Sequence, residues 1–319
     1  MTECFTAGDE PDPLQSSLFD EASAAAAWDR DSAKRVLDEL FNYAQLYNST
    51  DAYRSLLEFV ARFRFYSPFN AMLVHVQMPG ATYVAPASRW RHKYFRRIKP
   101  NARPLVILRP MGPVMAVFDV SDTEPEPDGP PLPPEVEKPF EVRGGHVGQE
   151  LSRTVENACR DGVEVSERSA GSQSAGEIRE AEDGRRLQVL LNEGPPPHHV
   201  SVPLRYEVML NASHPKEGKY ATLVHELAHL YCGHLGTPNT TWWPDRRGLT
   251  KVVREFEAES VCYLVCVRLG LDNPSDEYLS GYLKSSSDIP QISLDRVMKA
   301  AGLIEQMGRE RLKPRKEKE

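Results

Sequence analysis

The sequence predicts an α+β protein of two domains. Three observations predict it. The chain has 319 residues, 40% of them hydrophobic, which is enough for more than one core. Some apolar residues recur at helical spacing over long stretches, as in 252–269 and 294–307, while others form short β-branched runs such as PLVIL and PVMAVFDV. Between these regions lies SDTEPEPDGPPLPPEVEKPF (121–140), with seven prolines and six acids. Proline removes backbone donors and like charges repel, so this stretch predicts an extended linker.

Composition excludes several classes. Mean hydropathy is -0.49, and no run of about 18 apolar residues is present, so no membrane span is expected. The N-terminal stretch MTECFTAGDEPDPLQSSLFDE lacks a basic region followed by an apolar one and does not read as a secretory signal. Five cysteines in no pattern argue against a disulfide scaffold and for a reducing, cytoplasmic setting. Net charge is -7, but unevenly spread. Residues 1–27 carry six acids and no base, and residues 28–123 carry 14 Lys and Arg against 8 acids. The remainder is acidic, so one basic block sits inside an acidic chain.

The elements follow in order. Residues 1–27 read as a disordered acidic tail. From Trp28, Val36, Leu37, Leu40, Ala44 and Leu46 repeat at helical spacing, as do Leu56, Leu57, Val60, Ala61 and Phe63. Ser67-Pro68 starts a third helix that Pro79-Gly80 ends. ATYVA, PLVIL and PVMAVFDV then read as strands, completing a first domain over 28–123. A linker is expected over 124–146 and a second domain over 147–308. Within it, 149–160 reads as a helix, 163–165, 187–191 and 205–211 as strands, and 219–234, 252–269, 275–284 and 294–307 as helices. A charged, solvated tail is expected over 309–319.

The strongest motif is His225-Glu226-Leu227-Ala228-His229 within TLVHELAHLYCGH. On a helix, positions i and i+4 share a face, so both imidazoles reach one ion, and Glu226 lies beside the first ligand as a general base. Catalytic zinc takes three protein ligands and keeps one open position. The metzincin pattern would need Gly at +3 and His at +6 from His229, whereas here Gly233 and His234 stand at +4 and +5. The third ligand is therefore expected from Arg254-Glu255-Phe256-Glu257-Ala258-Glu259. Glu255 and Glu259 share a face and Glu257 points away. Glu255 is the expected ligand, and Glu259 the expected acceptor orienting a ligand His.

HELAH followed by E-x-E-A-E at the head of an apolar helix resembles the ImmA/IrrE metallopeptidases, whose pattern there is E-x-x-A-[ND]. Here Glu259 stands in the last place. The resemblance covers about 200–271. It implies a gluzincin-like domain with a short sheet packed on the HExxH helix, Zn²⁺ (Mn²⁺ as an alternative), and a protein substrate such as a helix-turn-helix transcriptional repressor. Glu226 would pass a proton from water to the leaving amine. His214, Tyr220 and Tyr282 are the candidate oxyanion donors. The strand over 205–211 is the expected sheet edge for an extended substrate.

The second feature is SRWRHKYFRRIKPNAR (88–103). Arg89, Arg91, Lys93, Arg96, Arg97, Lys99 and Arg103 supply seven cations, with Trp90, Tyr94 and Phe95 interleaved. Cations neutralise phosphates and aromatics stack on unpaired bases, a combination suited to single-stranded nucleic acid; a solvated basic helix with its aromatics turned inward fits equally. SPFNAMLVHVQMPGATYVAPASRW with RRIKPNARPLVILRP resembles the N-terminal domain of ArdC-type antirestriction proteins over about 66–122. Asn101 stands where that family has Gly, in a turn that needs positive φ. The resemblance implies single-stranded DNA binding through this block. The leading expectation is a zinc endopeptidase with such a module. The alternative is a DNA-binding antirestriction protein whose metal domain is structural or inactive.

Overall fold

The structure, a computed structural model, describes residues 47, 49–109, 112–137, 145–169, 176–182, 184–192, 194, 196–271, 279 and 289–315. The expected acidic tail, the helical repeat from Val36 to Leu46 and the helix at 275–284 fall outside this set, Leu279 excepted. The fold is mixed α+β. The chain divides into two compact units, one of residues 1–43 and 76–139, the other of residues 44–75 and 140–319.

Along the chain come α1 (Thr50–Arg62), α2 (Pro68–Gln77), β1 (Val84–Ala85), α3 (Ala87–Tyr94), β2 (Arg96–Ile98), β3 (Leu105–Arg109), β4 (Gly112–Asp119) and β5 (Thr123–Pro125). A single turn, α4 (Pro134–Glu137), precedes α5 (Glu150–Arg160). Then follow β6 (Val163–Arg168), β7 (Gly176–Glu180), β8 (Arg186–Asn192), β9 (His198–Pro203), β10 (Tyr206–Asn211), α6 (Lys216–Tyr231), α7 (Lys251–Leu269) and α8 (Leu294–Arg309).

In the first unit β4 is central, antiparallel to β1 and β3. β2 pairs with β5, Arg97 opposite Glu124. The core is Tyr83, Ala85, Trp90, Tyr94 and Val136, with Leu132 packed against it. Trp90 Nε1 donates to the Phe118 carbonyl at 2.9 Å, and the Tyr83 and Tyr94 hydroxyls meet at 2.8 Å. The expected linker therefore begins later than its prolines suggest. β5 lies within it, the Glu126 N–H reaches the Phe95 carbonyl at 2.8 Å, and Val136 is core. Proline excludes a segment from a sheet centre, not from an edge strand or a packed turn. Asn101 takes φ +68°, as its place in the turn required.

In the second unit β10 is central, parallel to β6 and antiparallel to β7. β8 and β9 form a separate antiparallel pair. The helices α1, α5, α6, α7 and α8 enclose an apolar interior that includes Leu223, Leu227, Phe256, Val261, Val297 and Ile304. Residues 44–75 belong here, whereas the sequence placed them with the basic block. The reason is specific. Tyr53 donates to Ser260 Oγ at 2.9 Å. The buried Arg268 guanidinium donates to the carbonyls of Val60, Phe63 and Tyr66 at 2.6–2.9 Å and pairs with Glu305. The tail is likewise tied down as far as residue 315. Leu312 N donates to Asn157 Oδ1 at 2.9 Å, and Arg315 pairs with Asp161 at 3.0 Å beside the rings of Trp242 and Trp243.

Candidate metal centre

The centre is built by α6 and α7. α6 starts beyond β10 at Pro215, whose ring fixes the φ that opens a helix. Its apolar residues Leu223, Val224, Leu227 and Leu230 are buried, so the face with His225 and His229 is set opposite the core. α7 is capped by Thr250, whose side chain accepts from Val253 N, and stops at Gly270 with φ +90°. It turns Phe256 and Ser260 inward, which leaves Glu255 and Glu259 toward the histidines.

His225 Nε2 and His229 Nε2 face each other at 3.2 Å. Glu255 Oε2 lies 3.8 Å from both. Tetrahedral coordination with bonds of about 2.1 Å separates donor atoms by about 3.4 Å, so the three atoms fit one divalent ion with a shift of a few tenths of an ångström. The donor chemistry agrees. His225 Nδ1 faces Glu259 Oε1 at 3.5 Å; a proton on that nitrogen would leave Nε2 with a lone pair for the ion. Two ring nitrogens meeting lone pair to lone pair is an arrangement a cation favours. Burial first, then His225, His234 and Arg254, lower the His229 pKa to about 3, which keeps that ring neutral.

Glu226 is half-buried beside this cluster. Burial pushes its carboxyl above the usual range, and the Ile178 N–H bonded to it acts in the opposite direction. Ile178 lies on β7. That strand approaches α6 closely: a Cβ on Gly176 would fall 2.6 Å from Thr222 Cγ2 and 2.7 Å from the Met209 carbonyl. The sequence assigned the substrate edge to residues 205–211. That strand, β10, is the sheet centre with both sides paired, and the edge next to Glu226 is β7. A buried central strand and an edge strand show similar alternation, so the pattern could not separate them.

Glu257 is sequestered. Arg246 holds both of its oxygens at 2.6 Å, Ser293 N donates to it at 2.7 Å and His234 Nε2 lies at 2.9 Å. Burial alone would raise its pKa, but these bonds outweigh that and lower it. His234, to which the sequence assigned a structural role, reaches His229: their Nδ1 atoms are 2.9 Å apart. The available signal was Gly233-His234 directly after the helix. Gly233 has φ +85°, Gly233 N donates to the Leu230 carbonyl and His234 N to the His229 carbonyl, both at 2.9 Å. This is a Schellman cap, and it folds His234 beneath His229.

The oxyanion candidates fare unequally. Tyr220 is 1% exposed, its hydroxyl lies close to Gly308, and burial drives its pKa up; it is a core residue with no access to the centre. His214 is half-buried, with Nε2 3.5 Å from Asn211 Nδ2, and no contact joins it to His225, His229 or Glu255. Tyr282 lies outside the described residues. Cys232, Cys262 and Cys266 are buried thiols, and the Cys262 thiol donates to the Ala221 carbonyl.

In the basic block, Arg89, Arg91, Lys93, Arg97, Lys99 and Arg103 are exposed. Arg97 pairs with Glu124 at 2.8 Å, and Lys99 donates to the Ser121 carbonyl at 2.7 Å. Arg96 is turned inward onto Thr123. Trp90 and Tyr94 were expected to stack on bases. Both are core, at 0% and 3% exposure, because α3 lays them on the sheet face at i and i+4. The exposed aromatic is Phe95, 49% accessible and left-handed at φ +51°.

No family model matches this chain, and no curated protein matches it. Among solved structures, the metal-free crystal structure of the antirestriction protein ArdC from plasmid R388 is similar over 76% of this chain and 82% of that one, at 14% identity and a TM-score of 0.31, too slight a likeness to argue from.

Proposed function

We propose that this chain is a metal-dependent hydrolase that cuts peptide bonds, with His225, His229 and Glu255 as ligands and Glu226 as general base. One observation carries the reading: three ligand atoms at 3.2–3.8 Å converge beside a partly buried glutamate. Zn²⁺ is the expected ion, since nitrogen and carboxylate donors at tetrahedral spacing suit it. A divalent ion there supplies Lewis acidity, polarising a carbonyl and acidifying water. Glu226 accepts the proton of the attacking water and delivers it to the leaving amine. The Ile178 N–H orients that carboxylate. The outer edge of β7 takes the substrate as an added strand, which selects extended polypeptide. The substrate domain to test first is a helix-turn-helix repressor, the class implied by the motif's resemblance.

The test compares wild type with Glu226→Gln on an unfolded protein and on such a repressor. Wild type cleaves both or one, and the variant keeps its metal and loses about 10²–10⁴-fold in rate. Equal rates for the two proteins would remove Glu226 from the chemistry and the peptidase reading with it.

The exposed cations around Phe95 favour a second reading, in which the first unit binds single-stranded nucleic acid and the metal site is structural. An oligonucleotide should then bind with affinity that falls as salt rises, and Arg91→Gln with Lys93→Gln should flatten the log–log slope by about 1.4. Binding that is absent, or indifferent to salt, contradicts it.

A further inference from the structure

We infer that His234 and Glu257 are positioning residues for the metal centre, holding His229 in the tautomer with its proton on Nδ1 so that Nε2 presents a lone pair to the ion. This rests on the metal-site reading above.

Counting donors and acceptors fixes the direction of the chain. Glu257 Oε1 accepts from Arg246 Nη2 at 2.6 Å and from Ser293 N at 2.7 Å; Oε2 accepts from Arg246 Nη1 at 2.6 Å. All these partners are donors that cannot reverse, so the carboxylate is an acceptor throughout. His234 Nε2, 2.9 Å from Oε2, must therefore donate. In the proposed tautomer His234 carries its single proton on Nε2, so its Nδ1 accepts. His229 Nδ1, 2.9 Å away, must donate, and its Nε2 is left without a proton, facing His225 Nε2. His234 is 1% exposed and Glu257 fully buried, so water cannot substitute for either partner. The cluster of Cys232, His234 and Glu257 is not a second metal site on this account, because the Arg246 guanidinium already occupies both carboxylate oxygens.

Two measurements on the full chain test this. The first is long-range ¹H–¹⁵N NMR of the histidine rings in metal-free protein. The expected result is His229 protonated at Nδ1 alone and His234 at Nε2 alone. His229 protonated at Nε2, or His234 doubly protonated at neutral pH, overturns the inference. The second is zinc affinity. His234→Leu should bind zinc about 10–100-fold more weakly than wild type. His234→Gln should recover most of that, since its amide oxygen accepts from His229 and its NH₂ donates to Glu257. A folded His234→Leu protein with wild-type affinity overturns the inference, and so does a glutamine variant no better than leucine. If His234→Leu does not fold, the wild-type tautomers decide alone. Wild type with the expected tautomers and no zinc binding would sink the metal-site reading while leaving the positioning chain intact.

Discussion

His75 shows how a single side chain sets a pH limit on the fold. It is 3% exposed, packed against the rings of Phe59 and Tyr47, and its Nδ1 has no hydrogen-bond partner. Burial first, then the charge of Arg62, depress its pKa from 6.5 to about 4. The unfolded chain therefore takes up this proton before the folded one. The stability involved is fully present above about pH 6.5 and is lost as pH falls towards 4, by about 2–3 kcal/mol. Chemical denaturation of His75→Leu should show a shallower loss between pH 6.5 and 4.5 than wild type; identical slopes would contradict the assignment. Single residues were unequally legible. His225, Glu226 and His229 stood out because their chemistry depends on local helical spacing. Glu255 followed from the same spacing one helix later. Trp90 and Tyr94 were misread because charge and aromaticity mark a basic helix and a binding face alike, and only packing separates them.

At the scale of elements, the centre depends on how α6 stops. Gly233 adopts φ +85°, and a Cβ there would fall 2.1 Å from the Pro244 carbonyl oxygen. Gly233→Ala should destabilise the protein by roughly 2–4 kcal/mol through left-handed strain and overpacking together. It should also weaken zinc binding, because His234 then loses its place beneath His229. A variant with unchanged melting temperature and unchanged affinity would show that the cap does not serve the site. Helices and most strands were readable from periodicity. The order of the sheet was not, since β10 and β7 are joined through partners far apart in sequence. Nor were the packed parts of the proline-rich segment, because composition reports what a segment avoids more clearly than what it touches.

At the scale of the whole molecule, the basic block is narrower than the sequence boundary suggested. Residues 76–123 hold eight Lys and Arg against two acids, while residues 28–75 hold six of each. The basic excess therefore sits in residues 76–123, and α1 and α2, whose described residues up to His75 pack with the helices of the second unit, are neutral in balance. The exposed cations of the basic block and the ligand cluster then fall in different units. Among the described residues no helix is long and apolar enough to cross a membrane.

The central claim is that one divalent ion sits between α6 and α7. Anomalous diffraction at the zinc edge from crystals of the full chain grown with zinc tests it most directly. The account predicts one strong peak about 2.0–2.2 Å from His225 Nε2, His229 Nε2 and a Glu255 oxygen. No peak there at saturating zinc, or a peak among Cys232, His234 and Glu257 instead, would contradict it.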